Sequence, residues 1–276
     1  MTQLATTSSV SGSHRRRVRF LLALGALMVG VMFLVPRIPQ DAAYHDFADQ
    51  RTCLGVPNCL NVASNLPFLV VGVLGFLFLV RDRAAGGTDA FITPAERRPY
   101  WALFAGVGLT GLGSAYYHWA PDNTTLFWDR LPMTIAFMAL LSSVIAERIS
   151  LTAGLRLLWP LLVVGALSTL YWHVGEIRGV GDLRPYALVQ FGTMVAIPLV
   201  LWLFPPRYTG TADMVRVIAW YGLAKVFEHF DHGFFRLTGV SGHTLKHLAS
   251  AVGAWWILRM VQRRRPLCVA GEPDRI

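Results

Sequence analysis

Two histidines four residues apart open the last long apolar segment, Ser241-Gly-His-Thr-Leu-Lys-His-Leu-Ala-Ser-Ala-Val-Gly-Ala-Trp-Trp256. On a helix, His243 and His247 stack on one face, one turn apart. Two neutral imidazoles so placed can share a zinc ion at about 2.0–2.1 Å each. The pair alone fits interfacial histidines near a helix start equally well. A second interval of four occurs in Ser114-Ala-Tyr-Tyr-His118, and Asp129 follows in Phe127-Trp-Asp-Arg-Leu-Pro-Met133. Three imidazoles, a hydroxyl and a carboxylate are the parts of a hydrolytic metal centre. Three protein ligands with water in an open fourth position describe a catalytic zinc, whereas structural zinc closes with four. Such an ion lowers the pKa of its water to about 7. In this reading His118, His243 and His247 hold the metal. Asp129 takes the water's proton and passes it to a leaving amine. Ser114 donates to the developing oxyanion or orients the water. A nucleophilic serine is disfavoured, since no Gly-x-Ser-x-Gly elbow surrounds Ser114.

These residues are far apart in the chain, so helices must bring them level. The composition, 54% hydrophobic and 15% charged, implies an all-α, polytopic membrane helix bundle and excludes a soluble domain with one core. Apolar runs lie at about 20–36, 61–80, 99–118, 127–147, 153–173, 186–204, 213–230 and 242–261, each close to the roughly twenty residues that a bilayer core requires. The chain therefore divides into a basic cytoplasmic arm (1–19), an extra N-terminal transmembrane helix (20–36), a seven-helix core (37–262) and a basic cytoplasmic tail (263–276). The first run also fits a signal peptide, but no convincing small-residue cleavage site follows, so a retained helix is expected. The net charge of +9 would suggest nucleic acid in a soluble protein; here the basic residues sit between apolar runs, as cytoplasmic loops do, and no nucleic-acid partner is expected. With the eight runs alternating in direction, 17 arginines fall on one side and 6 on the other. Both termini are then cytoplasmic. Ser114, His118, Asp129, His243 and His247 come to similar depth toward the non-cytoplasmic face. Ionisable groups there cost about 2.5–3.5 kcal/mol at a helix centre, less near the interface, so they should face the bundle interior and have partners.

Other features are expected to support this frame. Gly106, Gly108, Gly111 and Gly113 should let helix backbones approach closely. Cys53 and Cys59 share one outer loop in which a disulfide can form, while Cys268 lies on the reducing side. Glu176, Asp182 and Arg184 read as a solvated outer loop, and Lys225 with Glu228 as an intrahelical pair. Asp231 is a candidate outer partner of a ligand histidine. His45, His173, His229 and His232 compete as ligands, His232 most strongly.

Ser114-x-x-x-His118, Asp129-Arg-Leu-Pro-Met133 and His243-x-x-x-His247, together with Asn61-Val-Ala-Ser-Asn65, resemble the alkaline ceramidase family. That family belongs to a wider group of membrane hydrolases related to adiponectin receptors. The resemblance covers about residues 44–262 and leaves the first helix as an addition. It implies zinc-dependent cleavage of the amide in ceramide-like N-acyl lipids to a fatty acid and a sphingoid base. His118, His243 and His247 would be the zinc ligands, with Ser114 and Asp129 as catalytic helpers. The family's acidic calcium cluster corresponds to Asp46, Asp49 and Asn58; Asn58 stands where the family tends to have Glu, so Ca2+ is an open expectation beside Zn2+. The alternatives are a hydrolase of another acyl lipid, a receptor-like protein with structural zinc, and a haem-bearing electron carrier, since paired histidines also ligate haem.

Overall fold

A computed structural model describes residues 2–84, 86 and 90–267 of the chain. Cys268, Arg275 and most of the 263–276 tail lie outside the described residues. Among these residues the chain is helical, with only two isolated bridges, Cys53–Val56 and Tyr208–Pro266. The long helices are α1 (Thr2–Leu34), α3 (Leu66–Ala84), α4 (Arg97–Trp119), α5 (Asn123–Arg148), α6 (Leu151–Ile177), α7 (Arg184–Leu203), α8 (Thr211–His229) and α10 (Gly242–Arg263). Two short ones complete the set, α2 (Cys59–Ala63) and α9 (Asp231–Thr238).

Helices therefore cover all eight expected runs. The basic residues assigned to a separate arm continue the same helix as the apolar run after them, without a break at residue 20. Among the described residues, five spans are long and apolar enough to cross a membrane: Gly12–Leu34, Cys59–Ala84, Asn123–Arg148, Leu151–Ile177 and Arg184–Leu203. The chain is thus an all-helical protein of integral-membrane type. α4, α8 and α10 have comparable length but more polar surfaces, and these three carry most of the ionisable residues discussed below.

Helix starts follow local chemistry. Asp122 accepts from the Thr125 N–H at 2.7 Å and caps α5; Ser150 and Ser241 cap α6 and α10 in the same way. Each cap satisfies one of the amide N–H groups that a helix leaves orphaned at its start. α2 and α3 form one membrane-length rod interrupted at Ser64 and Asn65.

α3, α4, α5, α7, α8 and α10 pack in a ring, with the contact between α7 and α8 the slightest. α6 lies outside this ring against α5 and α7. α1 rests on α7, to which it is tied at both ends: Arg17 donates to the Leu203 carbonyl at 2.6 Å and Arg184 to the Met32 carbonyl at 3.0 Å. α4 is held unusually near its neighbours. A Cβ on Gly106 would meet the Ala136 amide nitrogen at 2.7 Å, and one on Gly113 would meet the Trp128 carbonyl oxygen at 2.0 Å. Gly111 faces the start of α3 in the same way, whereas Gly108 has ordinary clearance against Gly72.

Gly113 sets the distance between α4 and α5 beside Asp129. Gly113→Ala must push the two helices apart, and overpacking of this kind costs about 1–3 kcal/mol. A lowered unfolding temperature in detergent is expected, with Gly222→Ala as control, since nothing lies within 4 Å of a Cβ at Gly222.

Candidate metal centre

The end of α4 supplies Ser114 and His118, the first turns of α5 supply Asp129, and the start of α10 supplies His243 and His247. All are buried, the three histidines to 0%, 5% and 3% exposure in chain order. Their ring centroids are 4.7 Å (His118–His243), 4.8 Å (His118–His247) and 4.9 Å (His243–His247) apart. One nitrogen from each lies within 4.8 Å of the others, and the Nε2 atoms of His118 and His243 are 3.2 Å apart. A tetrahedral zinc with bonds of 2.0–2.1 Å separates its ligand atoms by about 3.3 Å, so this buried triad could hold one metal ion with small ring movements. Helix spacing and the meeting of two helix ends, α4 and α10, bring together the three histidines that the sequence singled out.

The groups around the rings decide which nitrogens are free. Ser64 Oγ donates to the Asn61 carbonyl at 3.0 Å, so its 2.8 Å contact with His247 Nδ1 is an N–H donated by the ring. That fixes the tautomer and leaves the Nε2 lone pair of His247 for the centre, as outer partners of ligand histidines generally do. His118 Nδ1 is buried without a hydrogen-bond partner among the described residues. Asp231 does not reach a ring, as expected from sequence, but accepts the backbone N–H of His243 at 2.9 Å and that of Ala48 at 3.0 Å. Its charge sits at the N-terminus of α10, where the helix dipole favours an anion. The loop before α3 makes the remaining ties: Asn58 donates to the His118 carbonyl at 2.9 Å, and Asn61 accepts from Thr244 Oγ1 at 2.7 Å and Ser241 Oγ at 3.1 Å.

Lys246 belongs to the site although spacing alone did not mark it. Its ammonium donates to His243 Nε2 at 2.9 Å, a bond that a metal taking that lone pair would displace, and to Glu228 at 3.1 Å; Glu228 in turn takes Lys225 at 2.6 Å. The expected Lys225–Glu228 pair is therefore present and extended by one member. Ser114 and Asp129 are both buried and line the same cavity.

Beside the triad lies a cavity of about 410 Å³. Ser114, Asp129, Lys246, Glu228 and His247 line its polar end, and Leu103, Val107, Leu140 and Ile257 its apolar depth. Of the three histidines only His247 borders it; His118 and His243 stand behind.

The competing histidines are placed elsewhere. His45 bonds Tyr117 Oη at 2.9 Å and Asn123 at 3.0 Å, His173 packs on Phe127, and His229 and His232 are exposed. Glu176 is no free surface charge: it accepts from Gln40, Trp172 and Asn123 and ties the outer loops together. Asp182 is buried and paired with Arg184 at 2.7 Å.

The residues proposed for calcium are committed separately. Asp46 is exposed and accepts from Gln50, Asn58 is turned to His118, and the Asp49 carboxylate is held by Arg51 through contacts of 2.6 and 2.8 Å. In this arrangement no shared oxygen cage forms among them. Hydrogen bonds from Arg51 hold the Asp49 carboxyl below the usual carboxylate range, and those from Arg184 do the same for Asp182. Cys53 and Cys59, in the same loop, are joined by a disulfide with Cα atoms 5.6 Å apart.

Neither the protein-family models nor the curated proteins contain a match to this chain.

Removing the partner of His247 by Ser64→Ala should weaken metal binding about 10- to 100-fold while leaving the bundle folded, as read by metal titration. Because the folded Asp49 carboxyl ionises below its ordinary value, its contribution is full above the unfolded value of about 4 and fades as pH falls through the lower folded value. The stability gap between wild type and Asp49→Asn should therefore be largest near neutrality and close in acid, measured by melting in detergent.

Proposed function

We propose that this chain is an integral membrane zinc amidohydrolase that cleaves ceramide-like N-acyl lipids, in keeping with its resemblance to alkaline ceramidases. The supporting observation is one juxtaposition: a buried three-histidine group adjoins Ser114 and Asp129 at the polar end of a largely apolar cavity. In this reading seven core helices and one N-terminal helix cross the bilayer, both termini are cytoplasmic, and the site faces the non-cytoplasmic side. The three span candidates short of apolarity, α4, α8 and α10, cross as part of the ring, with their polar residues turned to the site.

Zinc, held by His118, His243 and His247, supplies Lewis acidity toward water and an acyl carbonyl. The chain does the rest. The apolar depth takes the acyl chain, so the amide stops at the polar end. Asp129 accepts a proton from water as its oxygen bonds to the acyl carbon, then delivers it to the amine nitrogen as the C–N bond breaks. Ser114 orients Asp129 and donates to the oxygen that gains charge. Lys246, its charge balanced by Glu228, adds a fixed positive charge on the same wall. The products are a fatty acid and an amine, and the elements of one water molecule are consumed.

A second reading is a receptor-like protein with structural zinc, which the withdrawal of His118 and His243 from the cavity favours. Metal analysis beside fatty-acid release from a fluorescent ceramide separates the two. His118→Ala should lose both metal and turnover. Asp129→Asn should keep the metal and lose about 10²- to 10⁴-fold in rate. Turnover at the wild-type rate in Asp129→Asn refutes the proton-transfer role. Zinc without turnover, whose chelation unfolds the chain, establishes the receptor reading.

A further inference from the structure

Arg130, next to Asp129 in the chain, borders the same cavity and is 5% exposed. Three rings surround it: its guanidinium carbon lies 4.4 Å from the Trp172 ring centroid, 4.8 Å from that of Tyr186 and 5.3 Å from that of Tyr44. Aromatic rings attract a cation through its faces, and do nothing for the N–H groups along its edge. Of those, one Nη2 N–H reaches Gln40 Oε1 at 2.7 Å, while Nη1 is buried with no hydrogen-bond partner among the described residues. No ion pair includes Arg130 among the described residues, whereas Lys225 and Lys246 on the same cavity wall are both paired with Glu228. A buried guanidinium with no ion pair in contact with it is unfavourable, and its planar fork matches a carboxylate or phosphate better than any other group.

We propose that Arg130 is a specificity residue that binds an oxyanion, carboxylate or phosphate, carried on the amine side of an N-acyl lipid. The anion pairs with Nη1, the buried guanidinium nitrogen left without a hydrogen-bond partner among the described residues, while the acyl chain fills the apolar depth. This deepens the amidohydrolase reading, and rests on it for the scissile amide but not for the anion. The substrate class is then N-acyl lipids bearing an acidic group near the amide, in preference to neutral ceramide.

The test compares binding of matched amphiphiles to the full chain in detergent by titration calorimetry: N-myristoylglycine, N-myristoylethanolamine and the phosphate ester of the latter. Wild type should bind an anionic member at least about tenfold more tightly than the neutral one, the worth of one charge-assisted hydrogen bond, and the better of the two anions names the group. Arg130→Gln should abolish the preference, and Arg130→Lys should retain part of it. Equal wild-type affinity for charged and neutral amphiphiles overturns the inference, and that comparison holds even if a variant fails to fold. An unchanged anion preference in folded Arg130→Gln overturns it as well. Hydrolysis of the same three compounds is followed in parallel. Anion preference without turnover keeps the subsite and sinks the hydrolase reading; turnover without anion preference does the reverse.

Discussion

A polar group inside a bundle that faces lipid has no water to fall back on, so each one must find a partner within the protein. The stretch from Asn58 to Asn65 meets this demand for most of the site. Asn58 ties the end of α4 through the His118 carbonyl, Asn61 gathers the Ser241 and Thr244 hydroxyls at the start of α10, and Ser64 orients His247. One short segment, interrupted between two helical pieces, thus holds the two helix ends that carry all three imidazoles. The break in the rod is what frees its side chains and backbone carbonyls for this role.

The same demand explains the hydropathy of the helices. Those that line the bundle exterior, α1 and α6 among them, are apolar enough to be recognised as spans, while α4, α8 and α10 are not. Their shortfall comes from residues such as Ser114, His118, Glu228, Lys225 and Lys246, which are directed to partners inside the ring rather than to lipid. Close helix contact then becomes a requirement of the chemistry. Ser114 and Asp129 share one cavity wall because Gly113 lets the α5 backbone come to within a distance that no side chain would tolerate.

Positions of helices and the identity of the histidine triad were legible in the sequence, because both rest on periodicity: apolar runs of bilayer length, and residues four apart that share a helix face. What was not legible depends on which helices become neighbours. Lys246 sits one turn from His243 and its partner Glu228 is on α8, a contact that no spacing rule announces. Asp231 was rightly placed near the ligands, but the backbone N–H of His243 proved a closer claimant than its ring. Glu176 and Asp182 looked like solvated loop charges; instead the backbone N–H of Gln40 bonds the half-buried Glu176, and Arg184 pairs with the buried Asp182. Asp49 likewise has Arg51 two residues away, and the two form a local ion pair.

Only His247 of the triad touches the cavity, so a guest reaches the centre across a single wall while two imidazoles close it from behind. Under the proposed function, a carbonyl presented there would have the histidine group on one side and Ser114, Asp129 and Lys246 on the others. Mirror-image lipids with a stereocentre beside the amide would then meet this wall as different shapes.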